Sequence, residues 1–146
     1  MVDSGLVVLA KRIAKNFKLD PLLVCSVIEQ ESNWNPWAMR YEPGFFAKYV
    51  AGFYTNNKIS ASEAYARGFS WGLMQVMGQT ARENGVTLPF LCQLCEPEAG
   101  VSIGCTVFAK KLEGTGGDVV KALLAWNGGA NKNYPIEVLK RRDNYR

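Results

Sequence analysis

The chain has 146 residues, 48% of them hydrophobic and 21% charged, with a formal net charge of +4 and no histidine. That length suits one compact domain spanning 1–146 with a sizeable core, the composition excludes disorder, and no apolar run is long enough to cross a bilayer. The lack of histidine excludes His-based triads, His-ligated zinc and histidine pH switches, so acid–base chemistry falls to carboxylates, Lys, Tyr or Cys.

At the N-terminus, Met1 to Gly5 carry no basic n-region, and Leu6 to Ala10 is too short for the apolar segment of a signal peptide. No signal peptide is expected; export uses another route, or a leader or larger parent has been left off. Residues 4–17 set Leu6, Leu9, Ile13 and Phe17 against Lys11 and Lys15, an amphipathic helix with Ser4 as N-cap. Asp20-Pro21 pairs an N-cap with proline at the first helical position and opens a second helix, which stops before Asn35-Pro36. On this helix Glu31 falls in line with Val24, Val27 and Ile28, so a carboxylate stands on the apolar face. Burial raises a carboxyl pKa, as a general acid working near neutral pH requires. Glu29 and Gln30 read as solvent-facing. Standing alone, the pattern around Glu31 equally suits a buried acid satisfied by a neighbour.

Residues 36–58 are aromatic-rich and irregular, with a short helix after Pro43, and Ser60-Ala61-Ser62-Glu63 is a capping box for another short helix. Trp71-Gly72-Leu73-Met74-Gln75 leads into a helix ending near Asn84-Gly85. Pro97 opens a helix closed by Gly114, Asp118 caps one through Trp126, and Pro135 starts a last helix that is basic towards its end. The expected fold class is all-α, with a small irregular or hairpin lobe in 36–72. Basic residues gather at Lys11, Arg12, Lys15 and Lys18 and again at Lys140, Arg141, Arg142 and Arg146. Solvated helix faces explain both clusters more simply than a nucleic-acid site does.

The cysteines are Cys25, Cys92, Cys95 and Cys105. Cys92-Gln93-Leu94-Cys95 is a CxxC without the preceding strand of a thioredoxin-type motif, and a zinc site would need all four thiolates to converge. Free thiols packing as small hydrophobes and a structural disulfide remain alternatives. No metal or cofactor is expected.

Three segments combine polar and aromatic groups in a way that suits a carbohydrate groove: Glu31-Ser32-Asn33-Trp34-Asn35-Pro36, Ser70-Trp71-Gly72-Leu73-Met74-Gln75-Val76-Met77, and Ala125-Trp126-Asn127-Gly128-Gly129. Rings stack on sugar faces, and amides satisfy hydroxyl and N-acetyl groups that burial would leave unpaired. Taken singly, Gly72 and Met74 read equally as turn and packing residues, and Trp126 as a core anchor.

Glu-Ser, then Gly-Leu-Met-Gln, then Ala-aromatic-Asn-x-Gly, in this order over residues 21–129 with Thr80-Ala81 and Gly85 following the second motif, resembles the lytic transglycosylase SLT family, whose lysozyme-like fold is shared with goose-type lysozymes. The resemblance implies cleavage of the β-1,4 link between N-acetylmuramic acid and N-acetylglucosamine in peptidoglycan, ending in a 1,6-anhydro product. It implies Glu31 as acid and then base, and Ser32, Gln75, Met77, Trp126, Asn127 and Tyr145 as the sugar-site residues. Implied too are glycan strands as partner, no nucleic acid or integral membrane segment, a monomer, and a periplasmic or cell-wall setting, bacterial or phage-delivered. The chain has Trp126 where the family usually has tyrosine, and indole donates a hydrogen bond but cannot accept one. Goose-type lysozymes place an aspartate after Gly-Leu-Met-Gln-Val, where this chain has Met77, which favours the one-acid route. Two alternatives stay open: hydrolysis with Glu42 as second carboxylate, and a non-catalytic wall-binding module. Glu63 reads as the capping-box acid.

Overall fold

The structure, a computed structural model, describes residues 3–146; Met1 and Val2, the first residues weighed as a leader, lie outside the described residues. Helix α1 (Ser4–Asn16) is capped by Asp3, whose carboxylate accepts from Gly5 N at 2.8 Å, one residue earlier than the expected Ser4 cap. Helix α2 (Pro21–Ser32) starts where Asp20 and Pro21 predict, with Asp20 accepting from Leu22 N at 2.9 Å, and ends at Asn33 in the left-handed region, φ 48°. Its residues Leu23 to Ile28 are all buried. It is therefore a central helix enclosed on every side, rather than a surface helix with one apolar stripe.

The expected lobe holds β1 (Met39–Tyr41), α3 (Pro43–Tyr49), α4 (Ala51–Thr55), α5 (Ala61–Arg67) and β2 (Phe69–Trp71), followed by β3 (Val76–Met77). The strands form an antiparallel sheet in the order β1-β2-β3, with Met39 opposite Trp71, Tyr41 opposite Phe69, and Ser70 opposite Met77. The capping box at Ser60 is half present: Ser60 Oγ accepts from Glu63 N at 3.2 Å. The Glu63 carboxylate instead takes Arg67 Nε and Arg82 Nε, each at 2.8 Å. A charge-assisted bond to two guanidiniums is stronger than one to a single backbone N–H, so it wins the carboxylate.

Gly72 to Gln75 make a tight turn between β2 and β3, so the run expected to lead directly into a helix first reverses. Gly72 sits at φ 68°, and a Cβ there would collide with the Leu94 carbonyl oxygen. Leu73 and Met74 drop into the core, and Met74 fills the space that a side chain at Gly104 would need. Helix α6 (Gly78–Glu83) follows, then a 3-10 turn over Leu91–Cys95, α7 (Pro97–Gly114), α8 (Val119–Trp126), α9 (Tyr134–Arg141) and a 3-10 turn over Arg142–Tyr145. Helix α1 packs on α2 and α7, α2 on α9, and α7 on α8. The result is a lysozyme-like helical domain carrying a small sheet. Among the described residues, no helix is long and apolar enough to cross a membrane, no three or more Cys, Asp or Glu side chains gather as metal ligands, and all four cysteines are free thiols.

Candidate active site

Glu31 occupies the last turn of α2, where the central helix emerges from the core. Two backbone features fix that end. Asn33 and Trp34 both adopt left-handed conformations, φ 48° and 63°, which stop the helix and turn the chain towards the sheet. Ser32 Oγ bonds the Ile28 carbonyl at 3.1 Å and the Leu73 carbonyl at 2.9 Å, tying the end of α2 to the turn between β2 and β3. Ser32 thus joins two of the sequence motifs. It anchors them from behind and is absent from the cleft lining.

Two donors converge on one oxygen of Glu31. Trp126, the last residue of α8, donates its indole N–H to Oε1 at 2.9 Å, and Tyr134, the first residue of α9, donates its hydroxyl to the same atom. Among the described residues no hydrogen bond reaches Oε2. Burial pushes the Glu31 carboxyl above its ordinary value; the Tyr134 and Trp126 bonds and the charge of Arg40 pull it down, and burial prevails. Burial and the neighbouring Glu31 charge also raise the Tyr134 pKa, so its hydroxyl stays a donor. Trp126 is braced by an edge contact with Phe108, 5.7 Å between ring centroids. It serves as core anchor and as hydrogen-bond donor.

Glu31 opens into a cleft of about 1010 Å³ whose lining includes Gln75, Met77, Trp126, Asn127, Tyr134 and Glu42. Gln75 adopts φ 49° and commits its amide internally: Oε1 accepts from Ser70 Oγ at 2.8 Å, and Nε2 donates to Ala38 O at 3.0 Å and Gly72 O at 2.9 Å. It shapes the cleft floor with its polar groups already engaged. Asn127 Oδ1 accepts from Asn131 N at 2.7 Å and holds the glycine turn after α8. The Glu42 carboxylate is gripped by Arg40 at 2.5 Å. A further cleft carboxylate, Glu83, accepts from Gln79 Nε2 at 2.9 Å.

Tyr145 stands apart from Glu31 and from the cleft lining. Its hydroxyl donates to Glu29 Oε2 at 2.6 Å and accepts from Trp34 Nε1 at 2.6 Å. Glu29 and Gln30, expected to face solvent, are half-buried. Arg141 lies 3.6 Å from Glu29 Oε1, and Gln30 Nε2 donates to Glu137 Oε2 at 3.0 Å. Both packed neighbours come from α9 and the chain end, whose docking against α2 the pattern within α2 could not reveal. The tyrosine beside the acid is Tyr134, which sequence reasoning missed. Its only local signal is an aromatic just before Pro135 at the start of a helix.

The Transglycosylase SLT domain family matches residues 8–142. A transglycosylase of Enterobacteria phage PRD1 is 30% identical over 132 residues, which cover 85% of this chain and 38% of the phage protein. The chain therefore spans less than half the length of that relative. No solved structure matches. A match that begins in α1 and runs into the final 3-10 turn takes in all three motifs and the cleft they build: the chain belongs to the transglycosylase SLT domain family.

Proposed function

We propose that this chain is a peptidoglycan lytic transglycosylase that cleaves the β-1,4 bond between N-acetylmuramic acid and N-acetylglucosamine, with Glu31 as the single catalytic acid and base. The observation that carries this reading is the state of Glu31: a carboxyl raised by burial, held at Oε1 by Trp126 and Tyr134, with no partner for Oε2 among the described residues and a cleft in front of it. Protonated Oε2 gives its proton to the glycosidic oxygen as the bond to the muramoyl C1 breaks. The resulting carboxylate accepts the proton of the muramoyl C6 hydroxyl as that oxygen attacks C1. Atoms balance without water: the glycosyl bond is exchanged for an internal 1,6-anhydro bond, and Glu31 ends protonated. Met77 and Gln75 shape the sugar site, Asn127 holds the turn beside it, and residues 1–146 act as one domain, as a monomer, on glycan strands in the periplasm or cell wall.

Glu42 motivates the second reading, hydrolysis by two carboxylates, because it lines the same cleft. Its pairing with Arg40 and the apolar Met77 at the position of the lysozyme aspartate support the one-acid route. Mass spectrometry of fragments released from purified peptidoglycan separates the two. Anhydro ends, lighter by one water than reducing ends, are the expected product, and reducing ends would move the assignment to a lysozyme. Persistence of clearing in Glu31→Gln would overturn Glu31 as the catalytic acid, whereas failure of the parent chain to clear peptidoglycan it binds would make it a wall-binding module.

A further inference from the structure

The cleft that holds Glu31 is also lined by Phe45 and Tyr49 of α3. Four residues apart on a helix, these two share a face, whereas Phe46 points roughly 100° away. The two directions have different uses. Phe46 stacks on Tyr65, with centroids 5.2 Å apart and planes 10° from parallel, and meets Tyr41 at 5.8 Å, so it is consumed by packing within the lobe. Phe45 and Tyr49 pack on each other at 4.8 Å with 48° between their planes. Tyr49 remains 47% exposed, and Lys48 holds its ammonium 4.9 Å from the Tyr49 ring centre.

Helix α3 buries no residue. Two adjacent rings on such a helix gain little from the fold, and apolar surface gathered at a cleft marks a binding function rather than a packing one. The cleft, at about 1010 Å³, stands at the upper end of the on the order of 300–1,000 Å³ that encloses a drug-sized ligand. It has room for a run of sugars beyond the pair at one glycosidic bond. A pyranose offers an apolar C–H face and a hydroxyl edge, which suits a ring surface with an ammonium at its margin.

We propose that Phe45 and Tyr49 form an outlying stacking platform for a saccharide unit of the same strand that Glu31 cleaves, so that the enzyme prefers long glycan strands to short ones. The proposal rests on reading the cleft as a glycan site, and binding to an inactive chain tests it separately from the reaction. In a Glu31→Gln background, affinities for a peptide-free tetrasaccharide and an octasaccharide of the alternating glycan are measured by calorimetry. The octasaccharide-to-tetrasaccharide preference is expected to fall about tenfold in F45A/Y49A and to be retained in F45Y/Y49F, which keeps both rings. Because Tyr49 is exposed and Phe45 only half-buried, the thermal midpoints of the variants are expected to stay close to that of their parent, which checks folding. An unchanged preference in F45A/Y49A overturns the platform, including the case in which the same substitutions abolish binding to phospholipid vesicles and so assign the rings to a lipid surface. A normal length preference with no anhydro product from the Glu31 chain would sink the reaction while supporting the platform.

Discussion

Among the described residues, both donors at Glu31 reach one oxygen and leave the other without a protein partner. This asymmetry suits the proposed role, in which the carboxyl first gives a proton and then takes one. Glu31→Gln keeps the shape and removes the titrating proton, so release of soluble fragments from peptidoglycan is expected to drop by about 10²–10⁴. The same substitution is expected to raise stability at neutral pH. A carboxyl whose folded pKa lies above its unfolded value stabilises the fold fully only below the unfolded value, near ~4.3, and loses that contribution as pH rises through the folded value. Thermal midpoints of the variant and the parent should therefore converge towards pH 4 and separate at pH 7. Tyr134→Phe removes a bond that favours the charged carboxylate. The alkaline limb of the kcat/KM profile should then move to higher pH, and a shift to lower pH would refute the role given to Tyr134.

At the scale of elements, the site depends on how closely the β2–β3 turn approaches its neighbours. Gly72 lies against the Leu94 carbonyl at φ 68°, and Gly104 faces the Met74 side chain. Gly72→Ala adds left-handed strain to a backbone collision and is expected to cost about 2–4 kcal/mol in denaturant unfolding. Ser32→Ala, which unties α2 from that turn, is expected to cost about 1 kcal/mol and to lower kcat more than it raises KM, since it displaces the acid without touching substrate. Glu63 pairs with Arg67 of its own helix and joins α5 to α6 through Arg82. The Arg82 bond is the foremost cause holding its carboxyl below the ordinary value, so this link weakens as pH falls through the folded pKa. The pairing also shows why a capping signature read within one helix can mislead: the stronger partner came from a different helix.

At the scale of the molecule, a helical body supplies Glu31 and its two donors, while the sheet, α3 and residues of α6 and α7 complete the cleft wall. The thiols play no part in joining these regions. Burial pushes Cys25 up to about 11 and Cys105 to about 12, and Cys92 alone among the four is exposed. A thiol reagent should therefore modify Cys92 rapidly in the native protein and the other three only on unfolding. The thermal midpoint should be unchanged by reductant, and a reductant-sensitive midpoint would show a disulfide.

The sequence by itself determined most of the helices, because their signals are local: Asp20 with Pro21, Asp118 as cap, Gly85 and Gly114 as stops, and apolar spacing between them, while α4 lies in a stretch that reads as irregular. It also marked Glu31, since a carboxylate among Val24, Val27 and Ile28 is anomalous at short range. Tertiary structure alone decided which side chains meet that carboxylate. Tyr134 rather than Tyr145 reaches it, Glu29 is drawn to the chain end, and Gln75 turns its amide inward. These pairings join residues distant in sequence, through helix packing and left-handed turns at Asn33, Trp34 and Gln75. Periodicity reports which face of one element is apolar and carries no information about the element that faces it.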